Sequence, residues 1–385
     1  MPERVKAAVL EAPRKLSIRE FPYPSQIEPG ALVASMVLAG ICGTDKHIFE
    51  GRSSVQFPVI LGHENLAIVE RMSSKVYDVY GEELKPGDRI TWFGAIPCGE
   101  CWYCRWIPSN HVGILCEKPF AYGQTSCEEP PHLFGGYAEK VYIKPKAWIW
   151  KIPASLPDEV AVLVDIFASV GGIIKAMTPA PVLKEGFGPG DWVVIQGSGP
   201  IGIAAGITAK LAGAYKILLI GAPKKRLETI AQLNVFDEFI NIEEVKNKEE
   251  RVRIVKKWTP GGVGADLVVD CTGVPDAVPE GLEMVRRGGS FVEIGSFVET
   301  GETRISPFRH ICWRDVQIYG QYGCSPQYYE KALRLLEMAW KGGDGIPLQK
   351  IVHTFPLEAA AEAMAAAGRL EYLKIALDMR SGYKS

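Results

Sequence analysis

The sequence predicts an α/β protein with an irregular β-rich domain and a doubly wound domain built on a parallel sheet. Over roughly the first 150 residues, short β-rich runs alternate with turns that contain proline and glycine. From residue 192 onward, continuous apolar runs alternate with amphipathic stretches, which is typical of a parallel sheet covered by helices on both faces. The 385 residues also exceed the length of one ordinary domain, ~100–200 residues.

The β-rich region is recognised by short runs of β-branched and apolar residues. Three of these runs lie at 6–10, 31–38 and 88–92. Proline and glycine mark the gaps between them, as in Pro29-Gly30 and Pro86-Gly87. This alternation favours antiparallel pairing of short strands.

The second region shows five apolar runs that predict buried strands, at 192–196, 216–220, 267–271, 290–294 and 316–319. Helical periodicity appears between strands at 201–212 and 225–233, and again near the end at 328–340 and 357–367. A last strand-like run follows at 374–377. We expect this tail to return to the first domain, so that 1–166 and 322–385 form one domain and 167–321 forms the other.

Composition excludes several classes of function. A net charge of −2 gives no reason to expect nucleic acid or an anionic membrane as a partner. No apolar run reaches the ~18–20 residues that cross a bilayer, and the start of the chain lacks the apolar core of a signal peptide. We therefore expect a cytoplasmic protein. In a reducing compartment, nine cysteines favour metal binding or catalysis over disulfides.

A glycine-rich turn follows the run at 192–196 directly and leads into a helix. Glycines in such a G-x-G-x-x-G turn permit tight bending and close backbone approach to a pyrophosphate, and the helix start offers free N–H groups. The alternative is a glycine turn without a ligand. The candidate cofactor-binding residues here are Gly197, Ser198, Gly199, Pro200, Ile201 and Gly202.

The end of the second predicted strand indicates which dinucleotide binds. An NAD site usually places Asp or Glu there to bind the ribose 2′-hydroxyl. This chain has Gly221, followed by the cations Lys224, Lys225 and Arg226. Cations suit a 2′-phosphate, so we expect NADP(H) in preference to NAD(H). The alternative is that these cations form only the solvated start of a helix.

Two further segments contain residue types that bind zinc. Cys42 and His63 are a thiol and an imidazole, and Glu64 adds a carboxylate. Taken singly, Cys42 is more often a small buried residue and His63 a core histidine. Four motifs around them resemble the medium-chain, zinc-containing alcohol dehydrogenase family, namely Cys42-Gly43-Thr44-Asp45, Gly62-His63-Glu64, Lys85-Pro86-Gly87-Asp88-Arg89 and Gly135-Gly136-Tyr137-Ala138-Glu139.

The resemblance implies a GroES-like catalytic domain and a Rossmann domain, with Cys42 and His63 as two ligands of a catalytic zinc. By position, the third ligand is Asp165, and an Asp there is similar to the secondary-alcohol branch, whose members often use NADP(H). A hydrogen-bonding role for Asp165 is the alternative. Glu64 is a fourth candidate, as a transient ligand or as a residue just behind the metal.

Three residues are candidates for proton transfer and ligand orientation. The resemblance implies a relay through the Thr44 hydroxyl and the cofactor ribose to His47, and these residue types suit one. His47 as an exposed loop histidine is the alternative. Asp45 is expected to hydrogen-bond the second ring nitrogen of His63.

The cysteine cluster has the pattern Cys-x2-Cys-x2-Cys-x11-Cys, formed by Cys98, Cys101, Cys104 and Cys116. Four thiolates form a closed tetrahedral set, which is typical of a structural zinc. The family usually separates the last two cysteines by seven residues, whereas this chain has four more. Cys127 is therefore the alternative fourth ligand.

We expect a zinc-dependent oxidoreductase that moves a hydride between NAD(P)(H), with NADP(H) preferred, and an alcohol or ketone, the alcohol being a secondary alcohol or polyol. One alternative is a zinc-free quinone or enone reductase of the same superfamily, and another is a non-catalytic zinc-binding protein. Relatives form dimers or tetramers, so a homo-oligomer is expected. A mid-sized or apolar substrate is suggested by Phe49, Phe57, Trp92, Phe93 and Phe167.

Overall fold

The structure is a computed structural model that describes residues 3–53, 55–108, 112–177 and 186–380. Its contacts divide the chain into two compact units. Unit 1 comprises Met1–Asp165, Ser325–Glu337 and Leu348–Ser385, and unit 2 comprises Ile166–Cys324 and Met338–Pro347. Residues 338–347, which the sequence analysis assigned to the first domain, thus belong with unit 2. The domain limits themselves stay a prediction.

Most strands of unit 1 pair antiparallel, because short connections let consecutive strands fold back on each other. The first ten strands are β1 (Arg4–Ala12), β2 (Lys15–Pro22), β3 (Leu32–Gly40), β4 (Val59–Ile60), β5 (Glu64–Met72), β6 (Arg89–Trp92), β7 (Ala95–Ile96), β8 (Phe120–Ala121), β9 (Lys140–Ile143) and β10 (Ile149–Lys151). One sheet has the order β2-β1-β4, and β7 pairs with β8.

Unit 2 contains a six-stranded parallel sheet in the order β13-β12-β11-β14-β15-β16. Its strands are β11 (Trp192–Gln196), β12 (Lys216–Gly221), β13 (Glu238–Asn241), β14 (Ala265–Asp270), β15 (Val285–Glu293) and β16 (Gln317–Gly320). All five predicted strands are present. The sequence analysis missed β13, because only Ile240 of its four residues is buried and the strand carries no apolar run.

The larger sheet of unit 1 is completed by the end of the chain, through β17 (Val352–Pro356) and β18 (Lys374–Asp378). Its order is β10-β6-β5-β3-β18-β17, and β9 also pairs with β3. Ala376 lies opposite Gly40, and Gly40 lies opposite Glu64. The start of β18, the end of β3 and the start of β5 therefore meet at one place, where the candidate metal ligands lie.

The helices are short in unit 1 and longer around the parallel sheet. They are α1 (Gly43–Phe49), α2 (Trp102–Trp106), α3 (Asp158–Ala161), α4 (Val164–Ser169), α5 (Gly172–Ala176), α6 (Pro200–Leu211), α7 (Lys224–Ala231), α8 (Lys248–Trp258), α9 (Ala277–Met284), α10 (Pro326–Trp340) and α11 (Ala360–Ala367). Short 3-10 turns lie at Gly113–Leu115, Pro260–Gly262, Cys312–Arg314, Lys341–Gly343, Leu348–Ile351 and Leu357–Ala359, and a π-helical turn lies at Pro307–Ile311.

These elements confirm the predicted fold class, an α/β protein with a β-rich domain and a doubly wound parallel sheet. The strands β11 to β15 are connected through helices, as parallel pairing requires. Among the described residues, every helix is too short or too polar to cross a bilayer.

Candidate active site

The end of β3 and the start of β5 bring two candidate zinc ligands together. Cys42 caps the N-terminus of α1, and His63 immediately precedes β5. The Cys42 side chain interacts with the His63 ring, and its Sγ lies 3.7 Å from Thr44 Oγ1. A thiol and an imidazole therefore converge beside a hydroxyl, which is a donor set that fits zinc.

Asp45 is fully buried behind His63 and orients it. One Asp45 oxygen lies 3.4 Å from His63 Nδ1 and accepts a hydrogen bond from the Gly62 N–H at 3.2 Å. The other accepts from the Cys42 N–H at 2.8 Å. Burial by itself raises the pKa of Asp45, but His63 and these N–H donors lower it below its usual value. Burial favours a neutral His63 ring, yet Asp45 raises its pKa well above the ordinary value.

Asp165 lies near these residues but is engaged by another side chain. Its Oδ1 accepts a hydrogen bond from the hydroxyl of Tyr329, and its charge acts on Glu64. Among the described residues, the only metal-binding group with ligand atoms all within 4.8 Å of one another is the cysteine cluster. The structure thus places Asp165 close enough to act on Glu64, and its place as a third ligand beside Cys42 and His63 stays a prediction.

Glu64 forms a buried ion pair with Lys374 rather than pointing freely at Cys42 and His63. Lys374 Nζ also donates to the Ile41 carbonyl at 2.8 Å. Burial raises the pKa of Glu64, as does the nearby Asp165 carboxylate, while Lys374 opposes both. Burial disfavours the charge on Lys374, but Glu64 holds its pKa above the usual value. Glu64 therefore lies behind the candidate ligands.

Sequence reasoning missed two residues of this site. Lys374 is a buried cation at the start of β18, directly before the apolar residues Ile375, Ala376 and Leu377, and a charge beside such a run was the available signal. Tyr329 is fully buried, stacks on Trp150 at 5.1 Å and meets Phe93 edge-on at 5.7 Å. No local pattern distinguishes it from an ordinary core tyrosine.

The candidate relay residues lie on α1. Thr44 is buried, and His47 is partly buried with no hydrogen-bond partner for Nδ1 among the described residues. Burial lowers the pKa of His47, and the nearby Arg52 lowers it further. A neutral imidazole with an available nitrogen is able to accept a proton near neutral pH.

The predicted pocket aromatics are buried or packed against a core within the described parts of each unit. Trp92 and Phe93 are buried, and Trp92 belongs to the core of unit 1. Phe49 and Phe57 pack against the same core. Phe167 is also buried, in unit 2. The suggestion of a mid-sized or apolar substrate from these residues stays a prediction.

The four predicted structural cysteines form one cluster. The Sγ atoms of Cys98, Cys101, Cys104 and Cys116 all lie within 4.8 Å of one another. Backbone N–H groups lower the pKa of Cys101 to about 6, and burial raises that of Cys104 to about 12. The alternative ligand, Cys127, donates to the Pro58 carbonyl at 3.4 Å instead. Four converging sulfurs, with N–H donors directed at them, fit a tetrahedral zinc.

In unit 2, the glycine-rich turn joins β11 to α6. Gly197 has φ +107°, and Gly199 caps the helix with Pro200 as its first residue. A Cβ on Gly202 would lie 1.8 Å from the Gly197 carbonyl oxygen, so only glycine permits this helix to start so close to the strand. The turn therefore has the geometry of a pyrophosphate cradle, with Ser198 and Ile201 in its backbone.

The end of β12 closes against this turn. A Cβ on Gly221 would lie 2.6 Å from Ser198 Cβ, so no acidic side chain fits there. Arg226 is buried and donates to the Ser198 carbonyl at 2.7 Å, so it supports the turn. Arg226 was a candidate cofactor-binding residue, and its Nε is used here to hold the turn, so a direct role toward the cofactor stays a prediction. Lys224 and Lys225 are exposed, and Lys224 lies 3.6 Å from Glu244.

Comparison with known proteins gives the same assignment. An alcohol dehydrogenase GroES-like domain model matches residues 28–154, and a zinc-binding dehydrogenase model matches 200–338. The solved alcohol dehydrogenase TADH from Thermus sp. ATN1 is 31% identical, with a TM-score of 0.77 and coverage of 97% of this chain and 99% of that one. An alcohol dehydrogenase structure from Thermotoga maritima has 28% identity, a TM-score of 0.88 and coverage of 98% and 99%.

A characterised relative points to the same chemistry. D-arabinitol dehydrogenase 1 of Uromyces fabae is 28% identical over 381 residues, which cover 98% of each chain. The two domain models, the Thermus structure and the cysteine and glycine sites all agree. This chain therefore belongs to the zinc-containing, medium-chain alcohol dehydrogenase family and is an NAD(P)-dependent oxidoreductase.

Proposed function

We propose that this enzyme interconverts a secondary alcohol or polyol and its ketone, with zinc held by Cys42, His63 and Asp165. The observation that carries this proposal is the meeting of a half-buried thiol and a half-buried imidazole with buried carboxylates, near the junction of β3, β5 and β18. A similar polyol dehydrogenase supports the substrate class. When bound, zinc supplies a Lewis acid that lowers the pKa of the substrate hydroxyl.

The protein's own residues provide orientation and proton transfer. Asp45 holds the His63 ring from behind, and Tyr329 does the same for the Asp165 carboxylate. Thr44 Oγ1, next to Cys42 Sγ, is the first acceptor for the substrate's hydroxyl proton. His47, three residues further along α1, is the group that finally holds that proton. Glu64 and Lys374 balance charge behind the ligands.

We propose NADP(H) as the preferred cofactor, with the glycine turn at residues 197–202 as its pyrophosphate site. The absence of an acid at Gly221 and the two exposed cations Lys224 and Lys225 support this preference. A nicotinamide held by this turn would supply the hydride acceptor or donor for the carbinol carbon. Replacing both lysines by alanine should lower kcat/KM for NADP⁺ about tenfold or more and leave that for NAD⁺ nearly unchanged. A clear NAD⁺ preference of the unmodified enzyme would contradict this assignment.

Zinc analysis together with an activity panel tests the proposed function. The purified enzyme should contain two zinc ions per chain and oxidise secondary alcohols or polyols. Asp165→Asn should lose one zinc and nearly all activity. The matched variant Asp158→Asn, at the half-buried start of α3, should retain both. Full activity without zinc would favour the zinc-free reductase, and zinc binding without turnover of any alcohol or ketone would favour a non-catalytic protein.

We further propose a homo-oligomeric, cytoplasmic enzyme. Among the described residues, the edge strand β16 pairs on one side only, and its Ile318 is 43% exposed, which supports pairing between copies. The nine cysteines, all of which lie in the described ranges, form no disulfide, which supports a reducing compartment. Sedimentation equilibrium should give a dimer or tetramer, and a monomer at micromolar concentration would refute the oligomer.

A further inference from the structure

A basic cleft lies in unit 2, at the edge of the sheet where β14 and β15 begin. It encloses about 550 Å³, and its walls carry five cations and one carboxylate, Glu283. The cations are Lys256, Arg286, Arg287, Arg309 and Arg314. The whole chain has 43 basic and 45 acidic residues, so this excess is local to the cleft.

The cleft is separate from the dinucleotide site. The glycine turn lies beyond the other end of the strands, where Cys271, just after β14, donates to the Gln196 carbonyl. The six residues of β14 span ~17 Å at about 3.3 Å per residue. A dinucleotide seated on the glycine turn therefore leaves the cleft open.

Two of the five cations have structural partners. Arg314 is buried and donates to the Leu282 carbonyl at the end of α9 at 2.5 Å. Arg286 donates to Asp266 at 2.5 Å. These two arginines stabilise a helix end and the start of a strand, and they contribute only their charge to the cleft.

The remaining three cations are available to a ligand. Among the described residues, Lys256 and Arg287 have no acidic partner, and the Arg287 guanidinium lies 4.2 Å over the ring of Trp313. Arg309 is 66% exposed and lies 3.0 Å from Glu283. Glu283 is already shared with His310 at 3.1 Å, so it neutralises Arg309 only in part.

The positive charges also repel one another. Burial lowers the pKa of Arg314, Glu283 opposes this, and the nearby charge of Arg287 adds to the lowering. A bound anion lowers the electrostatic repulsion between like charges that are held close together in a partly enclosed cleft. The planar guanidinium group of arginine donates paired hydrogen bonds to the oxygens of a phosphate group. The exposed indole of Trp313 offers a flat apolar surface to the rest of a ligand.

We propose that this cleft binds a small anion bearing a phosphate group, held by Arg287, Lys256 and Arg309 with its remaining part against Trp313. The ligand is either a free phosphate anion or an organic phosphate, and both share the chemistry that the arginines recognise. The site does not depend on the dehydrogenase chemistry proposed above, because it uses no residue of either candidate site.

Isothermal titration with two probes tests the proposal. Inorganic pyrophosphate and glucose 6-phosphate are titrated into the full-length enzyme in 0.15 M salt, with the dinucleotide site saturated by cofactor. At least one probe should bind saturably, with one site per chain. Binding of both identifies the phosphate group as the recognised part. Binding of pyrophosphate alone identifies a free anion, and binding of glucose 6-phosphate alone identifies an organic phosphate.

A pair of matched variants separates this site from general charge attraction. Lys256→Ala with Arg287→Ala should weaken binding about tenfold or more. The control, Lys257→Ala with Arg253→Ala, removes the same charge from exposed positions on α8 and should bind as the unmodified enzyme does. Lys256→Ala alone serves if the double variant loses stability. Absent binding of both probes, or equal weakening in both double variants, would overturn the proposal.

Discussion

Replacing Lys374 by methionine tests whether one buried ion pair stabilises unit 1. The side chains of Lys374 and Glu64 are 3% and 2% exposed, so water cannot solvate either charge once its partner is removed. Methionine preserves most of the length of the aliphatic chain and creates little cavity. The substitution therefore removes the ammonium group and leaves the Glu64 carboxylate and the Ile41 carbonyl without their donor.

The magnitude follows from the burial of both groups. Removing one partner of a buried pair costs about 3–5 kcal/mol, because an uncompensated charge remains. The unsatisfied Ile41 carbonyl adds about 1 kcal/mol. Protonation of Glu64, whose pKa is already raised by burial, limits the total. We expect the free energy of unfolding to fall by roughly 3–5 kcal/mol.

Urea unfolding of the zinc-saturated enzyme, followed by tryptophan fluorescence, measures this loss. Lys6→Met is the control, since Lys6 is 46% exposed and lies 3.6 Å from an exposed carboxylate. This control substitution should lower the free energy of unfolding by less than about 1 kcal/mol. Adding Glu64→Gln to Lys374→Met should recover part of the loss, because neither charge then remains buried. A loss below about 1 kcal/mol for Lys374→Met, or no recovery in the double variant, would refute the reasoning.

Three further predictions concern single side chains. Tyr329→Phe should weaken zinc binding at Asp165 about 10–100-fold in a chelator competition, and the lost buried hydrogen bond should lower the free energy of unfolding by about 1–3 kcal/mol; an unchanged zinc affinity would contradict its orienting role. Gly202→Ala should weaken dinucleotide binding at least about tenfold in a fluorescence titration, because its Cβ displaces the Gly197 carbonyl; normal affinity would contradict the tight turn. Burial, and then the nearby Glu293 carboxylate, raise the pKa of Asp270 to about 7, above the pKa of an Asp in the unfolded chain. Because the folded state then holds this proton more tightly, the free energy of unfolding should fall by at most ~4 kcal/mol as pH rises from 4 to 7.5. In urea unfolding across this pH range, Asp270→Asn should remove that fall in the free energy of unfolding. A variant whose pH profile is the same as that of the unmodified enzyme would contradict this role of Asp270.

The parallel sheet and the glycine turn were predictable because their signals are local. A buried strand of a parallel sheet is typically a continuous apolar run, and β11, β12 and β14 each contain one, whereas β15 has only the pair Phe291-Val292. The edge strand β13 lacks such a run, since only its inner face meets the core. The pattern of apolar residues therefore predicts interior strands better than edges.

The role of the cations after β12 was harder to predict. Lys224, Lys225 and Arg226 are consecutive and look equivalent in the sequence. On helix α7 they point in different directions, so Arg226 is buried under Ser198 while the two lysines remain exposed. The rotation of about 100° per residue along a helix separates neighbours that composition treats alike.

The sequence by itself determined the features whose residues are near each other along the chain. The four cysteines lie within 19 consecutive positions and the glycine turn within six, so spacing alone constrains their geometry. Only the tertiary structure decided what surrounds the candidate metal ligands. Lys374 reaches Ile41 from 333 positions away and Tyr329 reaches Asp165 from 164, and both contacts depend on strand pairing and core packing that local spacing does not encode.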